Sequence, residues 1–158
     1  KVYGLFQDID EQKTTQDELE KLALIAKKTS NLIVICNEYR KVVWVNDSFE
    51  KLTGYTLKEV LGKAPKDILQ GEESDKQVLQ FVKQKLDARE PVKFEIINYR
   101  KNGEKYWLDI DIQPVFNNDG SLKYFIAIEI DITERKNAEH LLKDNFTLIQ
   151  NANNRFQM

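Results

Sequence analysis

Side chains able to do nucleophilic or acid–base chemistry are scarce in this sequence and far apart. His140 is the only histidine and Cys36 the only cysteine among 158 residues. His140 stands in a charged stretch of helical pattern, so a catalytic triad would require it to reach a distant pocket. Glu72, Glu73 and Asp75 have the pattern of an exposed loop that opens a helix. We therefore predict no catalytic residue and no enzymatic activity for this segment.

Metal, phosphate and nucleic-acid sites are not expected either. A single cysteine excludes an intramolecular disulfide and a zinc site built from several cysteines. The six glycines are scattered singly, which is unlike a phosphate-binding loop. The 24 basic and 26 acidic residues are well mixed, with a net charge of -2. This balance offers no basic surface for nucleic acid.

The composition indicates a soluble domain of ordinary size. The chain is 41% hydrophobic and 32% charged, and its length suffices to bury a sizeable core. It has no apolar run of about 18 residues that would cross a membrane, and no signal peptide. We expect a cytoplasmic module without membrane contact. Its start at Lys1 suggests a piece of a longer protein.

Hydrophobic alternation predicts five strands in an α+β domain. They cover residues 32–37, 42–46, 92–100, 104–116 and 122–132. Asn102-Gly103 and Asp119-Gly120 separate the last three strands and are typical of hairpin turns. Two strands, small helices and then three strands predict a five-stranded antiparallel sheet with helices on one face.

Helical patterns fill the intervals and both ends of the chain. Short helices are predicted from Asp47 or Ser48 to Leu52, over 57–61 and over 65–69. A longer helix opens at Ser74 and ends before Pro91, with a shared apolar face made of Val78, Phe81, Val82 and Leu86. An N-terminal helix has the apolar stripe Leu19, Leu22, Ile25 and Ala26, and a C-terminal helix covers 133–156.

A repeat suggests where the domain begins and ends. Residues 3–13 are similar to residues 125–136, and a polar helical stretch follows each. We therefore predict the end of a preceding copy at 1–9, a linking helix at 10–29, the domain at 30–132 and a C-terminal helix at 133–158. The last strand is apolar on both faces, since Ile126, Ile128 and Ile130 alternate with Phe125 and Ala127. The small helices cover one face, so flanking helices or a second subunit must cover the other.

A series of short motifs, in order, resembles the PAS domain family. They are Val45-Asn46-Asp47-Ser48-Phe49, Leu52-Thr53-Gly54-Tyr55, Gly62-Lys63-Ala64-Pro65, Leu69-Gln70-Gly71, Asn98-Tyr99-Arg100-Lys101-Asn102-Gly103 with Tyr106-Trp107, and Asp131-Ile132-Thr133-Glu134-Arg135. The resemblance covers about Leu22 to Lys136. It implies a sensory module in series with other PAS domains, upstream of an output domain such as a histidine kinase or a diguanylate cyclase.

Within the family, the chain is most similar to the LOV subgroup of flavin-binding blue-light sensors, but it departs from that pattern. Pro65 stands where LOV photochemistry requires a cysteine, so the resemblance implies no cysteinyl adduct. Leu108 replaces a flavin-holding Asn, and Glu129 replaces the Gln that senses the flavin carbonyl. Lys66 and Lys83 would stand in for phosphate-binding arginines. We predict no bound cofactor, with noncovalent flavin as an alternative. Haem is not expected, because the long helix has no histidine.

The resemblance places a set of side chains at a possible ligand pocket: Cys36, Gln70, Asn98, Leu108, Ile110, Ala127 and Glu129. A buried, unpaired amide costs about 1–3 kcal/mol, so Asn98 needs a partner. The simpler expectation is a closed core in which Asn98, Gln70 and Glu129 bond one another or water. The alternative is the polar end of a small-ligand pocket.

The C-terminal helix suggests the function. Ala138, Leu142, Asn145 and Ile149 follow a heptad spacing, which predicts a parallel coiled coil and a homodimer formed through the flanking helices. We expect a change in the pocket or dimer to pass from the last strand through Asp131 and Thr133 into this coil. Trp107, on the outer face of the neighbouring strand, is expected beside that junction. The alternatives are a noncovalent flavin sensor and a pure dimerisation spacer.

Overall fold

Five strands and five helices make up residues 30–157, the part of the chain that the computed structural model describes. The strands are β1 (Leu32–Asn37), β2 (Val42–Val45), β3 (Val92–Tyr99), β4 (Lys105–Phe116) and β5 (Leu122–Asp131). The helices are α1 (Asp47–Thr53), α2 (Leu57–Val60), α3 (Pro65–Leu69), α4 (Lys76–Asp87) and α5 (Thr133–Phe156). The predicted order of elements is confirmed. The predicted repeat at 1–9 and the helix at 10–29 lie outside the described residues.

The sheet is antiparallel throughout, in the order β2-β1-β5-β4-β3. The last strand, β5, therefore lies in the centre, between β1 and β4. Its residue Ile128 pairs with Ile33 of β1 and with Asp111 of β4. The predicted five-stranded α+β fold is confirmed, and it places the end of β5 beside β4 where α5 begins.

The inner face of the sheet and the small helices enclose the core. Leu108 of β4 has none of its surface exposed, and Leu32 of β1 and Ile96 of β3 have 2% each. Phe49 of α1 and Val60 of α2 pack into the same cluster. Full burial of one such side chain contributes about 1.5–3 kcal/mol, so the helices are held on this face mainly by apolar contact.

Three details of the predicted helices are wrong. The long helix α4 begins at Lys76 with Asp75 as its cap, and not at Ser74. Asn46, not Asp47 or Ser48, caps α1, because its Oδ1 accepts the N–H of Phe49 at 3.1 Å and that of Ile33 at 3.0 Å. Only Asn46 stands where one side chain can join β1 to α1. The apolar face predicted for α4 is also wrong in one member, because Phe81 is 47% exposed.

The buried stripe of α4 includes Leu79 in place of Phe81. Val82 is buried, and Leu79 and Leu86 pack against the core at spacings of three and four residues. Phe81 lies at the edge of this stripe, and the Lys85 ammonium stands 5.7 Å from the centre of its ring.

The outer face of the sheet is apolar, as the alternation in β5 predicts. Ile128 and Ile130 are 44% and 45% exposed within the described part of the chain. Ile33 and Ile35 of β1 lie opposite Ile128 and Ile126 and are half-buried. That flanking helices or a second subunit cover this face remains a prediction, and the N-terminal helix lies outside the described residues.

Candidate functional site

Six of the seven predicted pocket residues lie on the inner face of the sheet. Cys36, Asn98, Leu108, Ile110 and Glu129 are buried, and Ala127 packs against the same core. Gln70 is half-buried at the C-terminal end of α3. The fold thus gathers six of them on one surface from four different strands, and Gln70 comes from a helix end.

Polar atoms without partners mark one end of this surface. Asn98 is 5% exposed and Glu129 is 6% exposed, and neither Asn98 Oδ1 nor Glu129 Oε2 has a hydrogen-bond partner among the described residues. Tyr106 lies opposite Asn98 across β3 and β4, and its buried hydroxyl is near enough to the Asn98 side chain for that amide to lower the pKa of the phenol, although no hydrogen bond of standard geometry joins them. Among the described residues these two oxygens thus make no direct bond to the protein, and the expected closed core, in which Asn98, Gln70 and Glu129 bond one another or water, stays a prediction.

Tyr106 is a site residue that the sequence analysis missed. It is 1% exposed and is the largest fully buried side chain of the described core. Burial raises its pKa, and the nearby Glu129 charge adds to this effect. The alternation that places Leu108 and Ile110 on the inner face of β4 also places Tyr106 there, so the signal was present in the sequence.

Glu129 is a carboxyl group inside an apolar core. Its neighbours across the sheet are Leu32 of β1 and Ile110 of β4. Burial alone raises its pKa from 4.5 to about 8. At neutral pH the group is therefore mainly protonated and uncharged. In this form it can donate a hydrogen bond, which a LOV-type glutamine at this position would also do.

Cys36 lies on the same face, in β1. It is 9% exposed, and burial, followed by the Glu129 charge, raises the pKa of its thiol to about 12. Since the thiolate is the reactive form, this cysteine is chemically inert at neutral pH. It is a small buried side chain of the core, and the structure assigns it no catalytic partner.

The loop after α3 is fastened to β3, and this fixes the position of Gln70. Ser74 donates a hydrogen bond to the Ile97 carbonyl at 2.7 Å and accepts the N–H of Gly71 at 3.0 Å. A Cβ at Gly71 would lie 2.3 Å from Cε2 of Tyr99, so only glycine fits against this ring. The polar end of the core is therefore built from two strands and a rigid loop.

The junction between β5 and α5 is tied together by the predicted residues. Asp131 Oδ1 accepts the N–H of Thr133 at 3.0 Å and its hydroxyl at 2.5 Å. Thr133 Oγ1 in turn accepts the N–H of Trp107 at 2.9 Å, and the Ile132 N–H donates to the Trp107 carbonyl at 3.0 Å. Asp131 thus satisfies a free N–H at the start of α5, and Thr133 joins that start to β4.

Charged side chains also hold the first turn of α5 on the sheet. Glu95, on the outer side of β3, bonds to Lys136 at 2.7 Å and to Arg135. The Lys136 ammonium lies 4.7 Å from the centre of the Trp107 ring. Hydrogen bonds from Lys136 and then Arg135 lower the pKa of Glu95. The indole of Trp107 therefore touches α5, whereas its backbone touches the β5–α5 corner.

The rest of α5 presents its apolar side chains to solvent. Leu142 is 70% exposed and Ile149 is 59% exposed, and Ala138 and Asn145 of the same heptad series are exposed too. A second exposed set, missed by the sequence analysis, consists of Leu141, Phe146 and Leu148. No residue of this helix is buried among the described residues. The helix thus carries an apolar stripe that residues 30–157 leave uncovered.

An open groove lies elsewhere, where α1 meets the turn between β3 and β4. It has a volume of about 350 Å³ and is lined by Lys51, Leu52, Thr53, Gly54, Arg100, Lys101 and Asn102. None of the predicted pocket residues lines it. Arg100 donates to the Leu52 carbonyl at 2.7 Å, and Lys101 bonds to both carboxyl oxygens of Glu59 at 3.0 Å. These two cations are thus engaged by the protein itself.

Metal binding and membrane insertion each require features that can be examined in residues 30–157. No cluster of three or more His, Cys, Asp or Glu side chains is arranged to hold a metal ion there. Over the same residues, no helix combines the length and apolar character needed to span a bilayer.

Comparison with known proteins links this geometry to a family. A PAS domain model matches residues 30–134. The blue-light-activated histidine kinase of Brucella canis is 36% identical over 119 residues, which are 74% of this chain and 24% of that protein. The blue-light-activated histidine kinase of Rhizobium johnstonii is 30% identical over 147 residues, 90% of this chain and 42% of that protein. The chain thus spans about a quarter to two fifths of these relatives' length.

Solved structures are similar as well. An RNA-binding Light-Oxygen-Voltage receptor superimposes with a TM-score of 0.72 at 27% identity, covering 84% of this chain and 38% of that one. The LOV domain of the Erythrobacter litoralis blue-light-activated histidine kinase gives 0.62 at 28% identity, covering 67% of this chain and 99% of that one. With its β2-β1-β5-β4-β3 sheet, its helices on one face and a matching family model over 30–134, this chain belongs to the PAS domain family, and it is similar to the LOV domains within it.

Proposed function

We propose that this chain is the sensory and signal-relay PAS module of a sensor histidine kinase. A change at the polar end of the core shifts β5, and the shift passes through the Asp131–Thr133 corner into α5. The observation that carries this proposal is the junction, where Thr133 accepts the N–H of Trp107 in β4 and donates its own N–H to Asp131 of β5. A spacer would not need its connecting helix to be bonded to two strands of the sensing sheet.

The geometry supports transmission because few bonds separate the core from the helix. Glu129 and Asp131 are two residues apart on β5, on opposite sides of Ile130. Asp131 pairs with Leu108 of β4, whose side chain is fully buried. A displacement of the last residues of β5 would therefore change the Asp131–Thr133 contact. It would also change the direction in which α5 leaves the sheet.

The receiving element would be a parallel coil made by two copies of α5. The exposed stripe through Leu142 and Ile149 is the surface for that contact, with Asn145 as the polar residue that sets register. The 24 residues of α5 extend ~36 Å, and none of them is buried among the described residues. Each chain of this homodimer would also carry the neighbouring PAS domains and the kinase domain.

The test is the effect of Asp131→Ala on autophosphorylation by the full-length kinase, with and without its stimulus. We expect the variant to fold and to lose the difference between the two states, because Thr133 loses its partner on β5. Asp119→Ala is a matched control. Asp119 accepts the N–H of Ser121 at 2.9 Å and its hydroxyl at 2.5 Å, the same motif in a turn remote from α5. A stimulus response of normal size in Asp131→Ala would refute the relay.

A second candidate, noncovalent flavin binding, is favoured by the unpaired oxygens in the core. Asn98 Oδ1 can accept from a ring N–H, and protonated Glu129 can donate to a ring carbonyl, so these residues fit the polar edge of a flavin. A bound flavin would supply light absorption or redox chemistry. Pro65 excludes the cysteinyl adduct, and Leu108 offers no bond where the LOV pattern has Asn. Lys83, which would stand in for a phosphate-binding arginine, is paired with Asp87 at 3.1 Å.

An absorption spectrum of the protein purified from a flavin-replete host tests this candidate. A visible flavin band that Asn98→Leu removes would support it. A spectrum without that band, also after incubation with excess flavin mononucleotide, would reject it. The relay proposal is independent of this result, because it requires a change at the polar end but names no ligand.

A further inference from the structure

Glu129 combines burial, lack of a partner and a position close to the output helix. It is 6% exposed, its Oε2 is unpaired, and apolar Leu32 and Ile110 flank it across the sheet. A buried carboxylate is tolerated when it is paired or bonds to several donors. Glu129 therefore occupies a site that accepts the neutral acid and disfavours the charged form.

Within residues 30–157, no cation is bonded to Glu129. Cys36 of β1 and Tyr106 of β4 are the titratable side chains whose pKa the Glu129 charge raises. Both are neutral at physiological pH, and Asn98 of β3 is an amide. Arg100 lies over the Tyr106 ring, 5.3 Å from its centre; its Nη1 donates to the Leu52 carbonyl, and its Nε is buried without a partner among the described residues. Burial is the only cause that raises the pKa of Glu129.

Ionisation would have a defined mechanical consequence. When the carboxyl proton passes to solvent, the resulting carboxylate requires water or another donor for its buried Oε2, and opening of the core beside β5 would admit that water. Glu129 pairs with Ile110, and two residues later Asp131 pairs with Leu108, so opening at Glu129 loosens the same β4–β5 ladder that carries the junction. The hydrogen bonds that the Trp107 N–H and the Ile132 N–H donate lie at the end of this ladder.

We propose that Glu129 is a proton-operated switch of the junction: the neutral acid keeps β5 paired and α5 attached, and loss of its proton releases the corner at Asp131 and Thr133. The switch deepens the proposed relay, on which it rests for its effect on output. It makes the module responsive to pH, or to any ligand that changes the proton occupancy of this carboxyl group.

The test is amide hydrogen exchange of the 158-residue chain at about pH 6 and about pH 9, corrected for the intrinsic rate of each amide. We expect protection of the Trp107 and Ile132 amides to fall at least tenfold at the higher pH, while amides in the β3–β4 turn keep theirs. Glu129→Gln, which stays neutral, should show no such fall. Glu38→Gln, a change of an exposed carboxylate in the β1–β2 turn, should behave as the wild type.

The outcomes separate the switch from the relay. Wild-type protection that is independent of pH, or an equal fall in Glu129→Gln, overturns the switch and leaves the relay to the Asp131→Ala test. Should Glu129→Gln be too unstable to measure, the carboxyl ¹³C resonance of wild-type Glu129 decides. A titration midpoint near that of exposed glutamates overturns the switch. A midpoint near neutrality or above, together with the loss of junction protection over the same pH range, supports it.

Discussion

Replacing Glu129 by Gln should change how the stability of this domain depends on pH. In the folded protein the pKa of Glu129 is raised from 4.5 to about 8, so the folded state holds a proton that the unfolded chain releases. The free energy of unfolding must therefore fall as the pH rises between these two values. Gln is similar in size and has no proton to lose, so the variant should lack this fall.

The size of the effect follows from the two pKa values. One pKa unit corresponds to about 1.4 kcal/mol, so the gap corresponds to a loss of up to about 5 kcal/mol above about pH 8. At pH 7 the loss is about 3 kcal/mol. These values are upper limits, because the core can relax around the charge. The penalty is fully present above the folded pKa and absent below the unfolded one.

Urea unfolding of the wild type and Glu129→Gln, at several values between about pH 5 and about pH 9, measures this effect. We expect Glu129→Gln to match the wild type within about 1 kcal/mol at the low end and to exceed it by about 2–5 kcal/mol at the high end. Glu38→Gln serves as the control and should follow the wild type. Parallel curves for the wild type and Glu129→Gln would refute the conclusion that a buried, neutral acid stands in the core.

Three other predictions concern the loop after α3, the first turn of α5 and the thiol. Gly71→Ala should lower the unfolding free energy by about 1–3 kcal/mol, because its Cβ would overlap the Tyr99 ring. Adding Tyr99→Ala should relieve part of that loss. Urea unfolding in which the two losses simply add would contradict this overlap. Glu95→Gln should weaken protection of the first turn of α5 in low salt, and the wild-type ion pair should be lost as the pH falls through the lowered pKa of Glu95; exchange that is the same in both proteins would contradict it. Cys36 should resist a thiol reagent at about pH 8 until the protein is unfolded, and rapid labelling of the native protein would contradict its burial.

The fold was predictable because its signals are local. Alternation along β4 and β5 and the two hairpin dipeptides determine which strands pair. The central place of β5 was not predicted, because its pairing with β1 joins segments that are far apart in sequence. The cap of α1 was not predictable at this level, since Asn46, Asp47 and Ser48 are all good caps. The choice depends on the contact of Asn46 with β1, which is distant in sequence.

The candidate site was predictable in composition but not in bonding. The residues expected at the pocket do lie on the inner face, yet which polar atoms meet depends on strand register and side-chain rotamers. Asn98 and Glu129 come from strands separated by β4, so their oxygens remain unpaired. Tyr106 was missed because its phenol was treated as part of a motif and not as an inward position of β4.

The relay makes one geometric claim above all, that the β5–α5 corner sets the arrangement of two α5 helices. Spin labels at Asn151→Cys, an exposed position of α5, report the distance between the two copies in the 158-residue chain, and the inert Cys36 thiol escapes labelling. The account predicts one narrow distance distribution in the otherwise wild-type protein and a shifted or broadened one when Asp131→Ala is added, with Asp119→Ala unchanged. An identical distribution in all three proteins, or the absence of any distance between copies, would contradict it.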